Sequence, residues 1–447
     1  MAIITDDFKR RFIQNLINEI DSAGDHYYVG IGRSQQWNST DAAPTPANKI
    51  VEERDFRLGL QSVKKAANIS YIVPRNNWIS GTIYSGYDND QVGYSANPHY
   101  VLTDTNAVYI CLQQGKDASG NTVASTVKPT GNSTSVFTTA DGYVWKFLYT
   151  ISASLSNSYL SANYMPVRLI DSAGPLDPAI DQEQYNIQNA AIPKQITSIT
   201  VTAGGSGYTV APTVSIIGDG DSARGFATIS SGSVVKVDLR DSAAGTIFRL
   251  GHDYNYAEVV FSGGSGTGAA ARANISPPLG LGANPILDLK STGFMINVKP
   301  TGAENDDFIV GQDFRQVGLI RNPLDSADVK ISSATASALD YMTLSSISTA
   351  FTSDKTIIGG TSGAKAYIDR FDSDTIYYHQ DAVTGFKAFQ NGEAVTETNG
   401  AGSGIISIAL NPADINKFTG EIFYIDNRAP IERSSEQTED LKVIIQL

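Results

Sequence analysis

The chain alternates short runs of β-branched and aromatic residues with turns rich in glycine, asparagine and aspartate. This pattern predicts short β-strands joined by tight turns. The end of the chain shows it clearly: we predict a strand over 421–425, a break at 426–430, a polar run over 432–440 and a second strand over 441–447. Because an apolar chain end is stable only when it is docked, the partner strands must come from earlier in the chain.

Two stretches near the start have the periodicity of helices. Phe8, Phe12, Leu16 and Ile20 share one face of a helix that begins after an acidic pair. A second helix is predicted over 50–65. Short strands separated by polar turns follow, so the first part of the chain is predicted to be α+β.

An internal repeat distinguishes the middle of the chain. The segment 205–208, which ends in Tyr208, recurs 46 residues later as 251–254, which ends in Tyr254. Two further short segments recur at the same offset, and glycine turns separate them. Two copies are too few for a solenoid, so a small inserted β domain is the better interpretation.

The domain prediction follows from these sequence patterns. We expect an N-terminal α+β part over 1–195, which includes a proline-bearing linker at 166–193, and an inserted glycine-rich β-repeat domain over 196–278. A C-terminal β part covers 279–447, with a second inserted module over 356–410. Its last strands are expected to pack with the N-terminal part. The predicted fold class is mainly β and multi-domain, with small β-sandwich-like modules and two N-terminal helices.

Composition narrows the functional classes. The 447 residues carry a net charge of −13, which argues against broad nucleic-acid binding. No apolar run approaches the ~20 residues of a membrane helix, and the first residues do not resemble a secretion signal. A single cysteine, Cys111, excludes an internal disulfide framework and suits a reducing cytosol.

No set of residues in the sequence has the spacing of a reaction centre. The histidines are far apart and are interpreted as structural: His26, His99, His252 and His379. The acidic pairs at 219–221 and 372–374 could offer oxygen ligands to calcium, but neither continues into a calcium-binding loop, so turn formation is preferred. Cys111 lies in an apolar strand, where packing is the better interpretation. We therefore expect no enzyme activity, no cofactor and no metal.

Several segments, in a shared order, resemble the gene-eight-product family of baseplate wedge proteins from T-even-like contractile-tailed phages. They cover about half of the chain, and the glycine-rich repeat is outside them. The segments are 28–33 with Trp37 and the Pro44/Pro46 loop, 73–78, 82–84, 108–111, 125–131, 141–146, 313–320, 426–428, Pro430–Ile431, Arg433 and 437–440.

The resemblance implies a structural subunit without catalysis. Proteins of this family are mainly β, with N- and C-terminal segments that combine and other segments that are inserted. They form dimers and join neighbouring wedge subunits in the baseplate, which reorganises when the phage attaches to its host. The implied partners are other baseplate wedge proteins and a second copy of the chain, without nucleic acid or membrane. The implied location is the virion tail baseplate, after synthesis and assembly in the host bacterial cytoplasm.

Two other functions remain open from the sequence. A host-surface glycan-binding or receptor-binding tail protein would have a similar composition, because exposed aromatic residues also suit sugars. A glycoside hydrolase would need two carboxylates that face each other across a cleft, and no such pair can be selected.

The polar run near the chain end supplies candidate interface residues. These are Arg428, Arg433, Gln437, Glu439 and Asp440. Arginine offers planar donors for a partner's carboxylates, but the acids nearby are equally available for ion pairs within the chain. The sequence therefore predicts either a subunit interface or a structural loop at 427–440.

Overall fold

A computed structural model describes residues 4–20, 22, 24–171, 178–407 and 411–447. In these residues the chain has 27 strands and five helices, so the predicted mainly β, multi-domain fold is confirmed. No helix among them is long and apolar enough to cross a membrane. The chain forms two compact units. Unit 1 contains the described residues of Met1–Ile13, Ser70–Met295 and Ile445–Leu447, and unit 2 those of Gln14–Ile69 and Ile296–Ile444.

The elements are numbered in chain order. The helices are α1 (Asp6–Ile20), α2 (Lys49–Gly59), α3 (Ala153–Tyr159), α4 (Pro178–Asn189) and α5 (Pro285–Asp288). The strands before residue 196 are β1 (Tyr27–Gly32), β2 (Leu60–Lys65), β3 (Ile69–Pro74), β4 (Tyr100–Leu102), β5 (Ala107–Gln113), β6 (Phe137–Thr138), β7 (Val144–Thr150) and β8 (Tyr164–Val167). The strands of the glycine-rich segment are β9 (Ile196–Ser206), β10 (Thr213–Gly218), β11 (Asp221–Ala223), β12 (Gly225–Ser230), β13 (Ser233–Leu239), β14 (Leu250–His252), β15 (Ala257–Ser262) and β16 (Thr267–Ile275). The remaining strands are β17 (Gly293–Val298), β18 (Asp313–Arg321), β19 (Thr335–Ser337), β20 (Asp340–Thr349), β21 (Thr356–Gly359), β22 (Lys365–Asp372), β23 (Thr375–His379), β24 (Ala394–Thr398), β25 (Ser403–Ile406), β26 (Glu421–Glu432) and β27 (Leu441–Gln446).

Unit 1 contains a four-stranded sheet and a helix in place of the predicted linker. The sheet has the order β4-β5-β7-β6, with Trp145 fully buried in its core. The linker prediction at 166–193 is wrong where the structure describes it, because α4 packs its buried Ile187 into the same core. Polar residues on α4 hid this face: Gln184 is buried and donates to the Arg168 carbonyl. Pro175 of the predicted linker lies outside the described residues.

The glycine-rich segment forms a closed barrel of six antiparallel strands within unit 1. Its strand order is β10-β12-β13-β9-β16-β15, which returns to β10. Tyr208 and Tyr254, the aligned tyrosines of the repeat, are both buried in the barrel core. A closed barrel leaves no strand edge exposed, so its hydrogen-bonding groups are satisfied internally.

Matched glycines make the same turn in both copies of the repeat. Gly205 and Gly251 have positive φ angles of 63° and 65°. A Cβ on Gly205 would lie 2.4 Å from the carbonyl oxygen of Thr267, and one on Gly251 would lie 2.4 Å from that of Asp221. Thr267 and Asp221 are themselves 46 residues apart. Glycine is therefore required twice for one reason, the close approach of two backbones.

Unit 2 is built on a five-stranded antiparallel sheet whose order is β19-β2-β1-β18-β26. Gly30 of β1 pairs with Gly318 of β18. The ring of Phe56, fully buried on α2, lies over this pair, since a Cβ on Gly318 would stand 2.4 Å from the ring. Paired glycines thus let α2 pack close to the sheet.

The second predicted helix is too long. The helix α2 ends at Gly59, and the residues from Leu60 to Lys65 form β2. Arg33 donates its backbone N–H to the Gly59 carbonyl at 2.7 Å, and a Cβ on Gly32 would stand 2.5 Å from that oxygen. This tight junction and the pairing of β2 with β1 override the helical pattern.

The predicted break at 426–430 is also wrong, because β26 runs without interruption from Glu421 to Glu432. Its pairing with β18 has two register shifts, which accommodate the irregular sequence. The Gln316 side chain donates to Asn427 Oδ1 at 2.9 Å, and Pro430 is tolerated because β26 is an edge strand.

A second closed barrel lies within unit 2, where the sequence predicted an inserted module over 356–410. Its strand order is β20-β23-β22-β21-β24-β25, which returns to β20. Its core includes fully buried Met342, Ile357 and Ile376. The barrel begins with β20, before the predicted boundary, and the last residues of the predicted module, 408–410, lie outside the described part.

Candidate assembly surface

The outer strand of the five-stranded sheet is the longest exposed edge of unit 2. The strand β26 has 12 residues and pairs only with β18 among the strands described. The opposite edge strand, β19, has three residues. A long edge strand offers backbone donors and acceptors to another chain, whereas a short edge offers few.

A groove of about 430 Å³ lies between β26 and the first turns of α2. The apolar part of its lining includes Ile422, Phe423 and Ile425, and its charged part includes Lys49 and Glu53. Phe423 is 47% exposed although its ring also contacts Tyr27, with centroids 5.9 Å apart. An exposed apolar centre beside charged groups is typical of a protein-binding surface.

Ile50 adds the most exposed large apolar side chain beside this groove, at 78% exposure. The Asn48 side chain caps α2 by accepting from the backbone N–H groups of Ile50 and Val51, at 3.1 and 3.4 Å. Phe56 anchors the same helix in the core. The two ends of α2 are therefore fixed, and Ile50 is held in solvent at a defined position.

The loop between β1 and α2 binds the centre of β26. Trp37 donates its indole N–H to the carbonyl oxygen of Arg428 at 2.8 Å, and Asn427 donates its side-chain amide to the Pro44 carbonyl at 3.1 Å. The Arg33 guanidinium lies 4.0 Å above the Trp37 ring. Because this loop covers the strand at 427–428, the groove is confined to 422–425.

A buried arginine of the sheet, Arg315, also binds the loop between β1 and α2. Arg315 on β18 is 3% exposed and forms ion pairs with Asp41 at 2.7 Å and with Asp313 at 2.9 Å. Burial alone would lower the pKa of Arg315, but its bonds with both carboxylates outweigh burial and raise it. The hydrogen bond from Arg315 holds the pKa of Asp41 below its usual range.

Two of the predicted interface residues, Arg433 and Glu439, are buried in the interior of unit 2. Arg433 is 1% exposed and pairs with buried Glu439 at 2.9 Å. Its guanidinium also donates to the carbonyl oxygens of Ile309 and Gly302, each at 2.9 Å, and lies 5.0 Å from the Phe308 ring centroid. Arg433 and Glu439 therefore stabilise a structural loop, which was one of the two alternatives that the sequence left open. Because they are buried, they cannot contact another subunit.

The other three predicted residues lie nearer to solvent. The Arg428 side chain is 53% exposed and pairs with Asp426 at 2.6 Å. Asp440 is exposed and binds Asn297 and Lys442, whereas Gln437 is half-buried and accepts at its backbone carbonyl from Gly302. The structure thus brings Arg433 and Glu439 together and leaves Arg428 at the loop that covers β26.

One buried histidine has a geometry that merits comparison with catalytic sites. His379 Nδ1 contacts Asp369 at 2.5 Å, and Asp369 accepts from the Ser34 hydroxyl at 3.0 Å. The serine therefore binds the carboxylate, whereas a serine nucleophile needs the imidazole as its base. Gln35 occupies the second ring nitrogen, at 2.6 Å. This network ties β22 and β23 to the loop after β1.

Unit 1 holds a buried acid, Asp288, that the sequence did not reveal. Asp288 is fully buried, and burial raises its pKa to about 8. Its carboxylate accepts from the Gly282 N–H at 2.7 Å, while its backbone carbonyl contacts His99 at 3.3 Å. Cys111 is also buried, and burial raises the pKa of its thiol. No group of three or more metal-ligating side chains occurs in the residues described.

No protein-family model matches the chain, and no curated protein matches it.

Segments that carry the phage-protein resemblance meet in two places. In unit 2, the Trp37–Pro46 loop and the strands β1, β18 and β26 join through the contacts of Arg315 and Asn427. In unit 1, Asp141 accepts from the backbone N–H groups of Thr126 and Val127, at 2.8 and 2.9 Å, and Ser125 binds Trp78 at 3.2 Å. Residues far apart in the sequence therefore form two local networks.

The exposed groove itself had only a weak signal in the sequence. Ile50 follows the helix cap and continues an apolar-polar pattern, so it could equally have faced the core. Its exposure depends on the rotation of α2 about Phe56 and the paired glycines, which no local pattern encodes.

Proposed function

We propose that the chain is a structural subunit of a contractile-tail baseplate wedge, located in the virion after assembly in the bacterial cytoplasm. It joins neighbouring wedge proteins through the groove between α2 and β26, and it forms a homodimer. In this function the chain takes part in the baseplate rearrangement at host attachment and has no catalytic activity. Neither nucleic acid nor membrane is a partner.

The observation that carries this proposal is the composition of the surface. The groove is built by β26 and α2, and the loop between Trp37 and Pro46 closes it at one end. That loop and the centre of β26 are among the segments on which the resemblance rests. An assembly protein needs such residues at a surface that another subunit can reach, and this one has an exposed edge and exposed apolar side chains.

The groove suits a protein partner better than a small molecule. It is open along the strand, its apolar side chains lie next to both acidic and basic groups, and β26 can extend its sheet with a strand from a neighbour. Burial of Ile50 and Phe423 by a partner would supply the central apolar contacts that dominate binding in protein interfaces.

The test is a mass determination of the purified chain alone and mixed with neighbouring wedge subunits. Ile50→Asp places a charge beside the groove, and Val383→Asp, at a residue that is 80% exposed in unit 2, is the matched control. We expect a stable complex with the native chain and the control, and affinity about 100-fold lower or worse with Ile50→Asp. A failure of the native chain to bind any wedge subunit would refute the proposed function. Equal binding by Ile50→Asp would refute only the assigned surface.

A further inference from the structure

The barrel in unit 2 carries both of the asparagine–glycine pairs in the sequence. Asn391 and Gly392 lie in the turn before β24, and Asn399 and Gly400 lie in the turn between β24 and β25. All four residues are exposed. Asparagine is a thermolabile residue, and a glycine after it has no side chain that hinders attack by its own backbone nitrogen. Because the two pairs share this chemistry, the structure around each of them decides how they differ.

Deamidation begins at the backbone nitrogen of the glycine. This nitrogen attacks the side-chain carbonyl carbon of the asparagine, and the new C–N bond closes a succinimide ring. The side-chain nitrogen leaves as ammonia, together with the proton that the glycine nitrogen loses. Water then adds to one of the two ring carbonyls and opens the ring to aspartate or to isoaspartate. An attacking N–H that already donates a hydrogen bond must lose that bond first.

The first pair is held by such hydrogen bonds. The Gly392 N–H donates to the Ile406 carbonyl at 2.9 Å. The turn is also fixed from its sides, because the Gln390 N–H donates at 2.7 Å to the carboxylate of Glu393, which is 4% exposed. Attack by the Gly392 nitrogen on Asn391 would therefore require this turn to leave the barrel.

The second pair is not held in this way. Among the residues that the structure describes, neither the Gly400 N–H nor the Asn399 side chain forms a hydrogen bond. The nearest bond of the hairpin runs from the Glu397 N–H to the Gly402 carbonyl at 2.8 Å. Asn399 has a positive φ of 58°, and glycines occupy positions 400, 402 and 404. A turn with so few hydrogen bonds and so many glycines opens locally at low cost.

We propose that Asn399 is a site of spontaneous deamidation in the folded chain, whereas the fold protects Asn391. The product has a carboxylate in place of a neutral amide, so each conversion makes the net charge of −13 more negative by one. The isoaspartate form also adds one carbon to the main chain of the turn between β24 and β25. This site goes beyond the assembly function, because it lies outside the groove between α2 and β26.

The test is incubation of the purified full chain at neutral pH and physiological temperature, followed by digestion and mass spectrometry of the two peptides. We expect Asn399 to convert at least about tenfold faster than Asn391, because attack at Asn391 first requires loss of the Gly392 hydrogen bond. In guanidinium chloride, which unfolds the chain, the two should convert at similar rates. Equal conversion in the folded chain would overturn the proposal. The same tenfold ratio in the unfolded chain would also overturn it, since the neighbouring residues alone would then set the rates.

Variants locate the modified residue. Asn399→Gln keeps a side-chain amide, but the longer side chain must close a six-membered ring, so the main acidic species should not accumulate. Asn391→Gln is the matched control and should accumulate that species as the native chain does. Anion-exchange chromatography measures the species, and thermal melting checks the fold of both variants. Native accumulation in Asn399→Gln, or its loss in Asn391→Gln, would contradict the site. No wedge subunit is needed, so the result does not depend on the proposed function.

Discussion

Two neighbouring parts of the closing stretch carry the same charged groups in opposite environments. Residues 421–428 lie on the exposed edge of the five-stranded sheet, where Phe423 and Arg428 face solvent. Residues 433–439 form a turn whose Arg433 and Glu439 are buried as an ion pair. Each part contains one arginine and two carboxylates, so charge alone does not separate them. The difference teaches that a surface for assembly is defined by what the neighbouring strands leave uncovered.

The largest expected effect is the loss of the buried arginine. Arg433→Met leaves Glu439 charged in the interior, and we expect the free energy of unfolding of unit 2 to fall by about 3–5 kcal/mol. Urea denaturation measures this change. The double variant Arg433→Met with Glu439→Leu removes both charges and should recover most of the loss. A single variant as stable as the native chain would erase the contrast between the two parts of the stretch.

A smaller effect is expected from substitution in the groove, where the change should weaken binding of a partner and leave the stability of the fold unaltered. Phe423→Ala should weaken association with a wedge partner by about 2 kcal/mol, as hot-spot residues do, because the partner loses an apolar contact. Titration of the partner against both chains measures this. Phe386→Ala, at a phenylalanine that is 63% exposed in unit 2, is the control and should bind normally. Equal weakening by both variants would show that exposure alone, without the groove, governs association.

The loop that covers β26 gives a prediction about pH. Asp41 has a pKa below its usual range because Arg315 donates to its carboxylate. A carboxyl group whose pKa is lower in the folded state stabilises the fold at pH values above its unfolded-state pKa of about 3.9. This stabilisation is lost as the pH falls through the folded-state pKa. Asp41→Asn should therefore lower the melting temperature most near pH 7, and the gap to the native chain should narrow below about pH 4.

Melting curves from pH 7 to pH 3 measure this gap. Asp328→Asn, which removes an exposed carboxylate elsewhere in unit 2, is the control and should show little gap at any pH. A gap for Asp41→Asn that stays constant across the range would mean that the amide disturbs the loop by its shape instead of by the loss of charge.

The smallest effect is expected at Arg428. Its side chain is half exposed and pairs with Asp426, so Arg428→Glu should change the free energy of unfolding by less than about 1 kcal/mol. Chemical denaturation of the variant, beside Arg433→Met, compares the two predicted arginines directly. A large loss of unfolding free energy with Arg428→Glu would mean that Arg428 stabilises the fold as Arg433 does. It would contradict the distinction between the exposed and the buried part of the closing stretch.

The sequence was sufficient to predict the fold class and one repeated turn. Alternating apolar runs predicted the mainly β class, and the aligned glycines at 205 and 251 predicted a repeated turn at both positions. The pattern failed where tertiary contacts override local preference. The residues from Leu60 to Lys65 continue a helical pattern yet pair with β1, and residues 426–430 contain turn formers yet stay within β26.

The candidate surface was predicted only in part. Arg428 lies at its border, but Arg433 and Glu439 are buried because residues 300–309 fold around them, a long-range contact without a local signature. Ile50 and Phe423 were not selected as interface residues, since an apolar residue in a strand or helix normally faces the core.

Hydrogen–deuterium exchange of the chain, alone and with a wedge partner, tests most directly the central claim that the open edge of β26 is the assembly surface. Peptides that cover 422–425 and the first turn of α2 should exchange more slowly in the complex, because a docked partner protects the part of β26 that the loop leaves open. Peptides that cover 433–439 should exchange equally in both states. Protection confined to other parts of the chain, with unchanged exchange at 422–425, would contradict the claim.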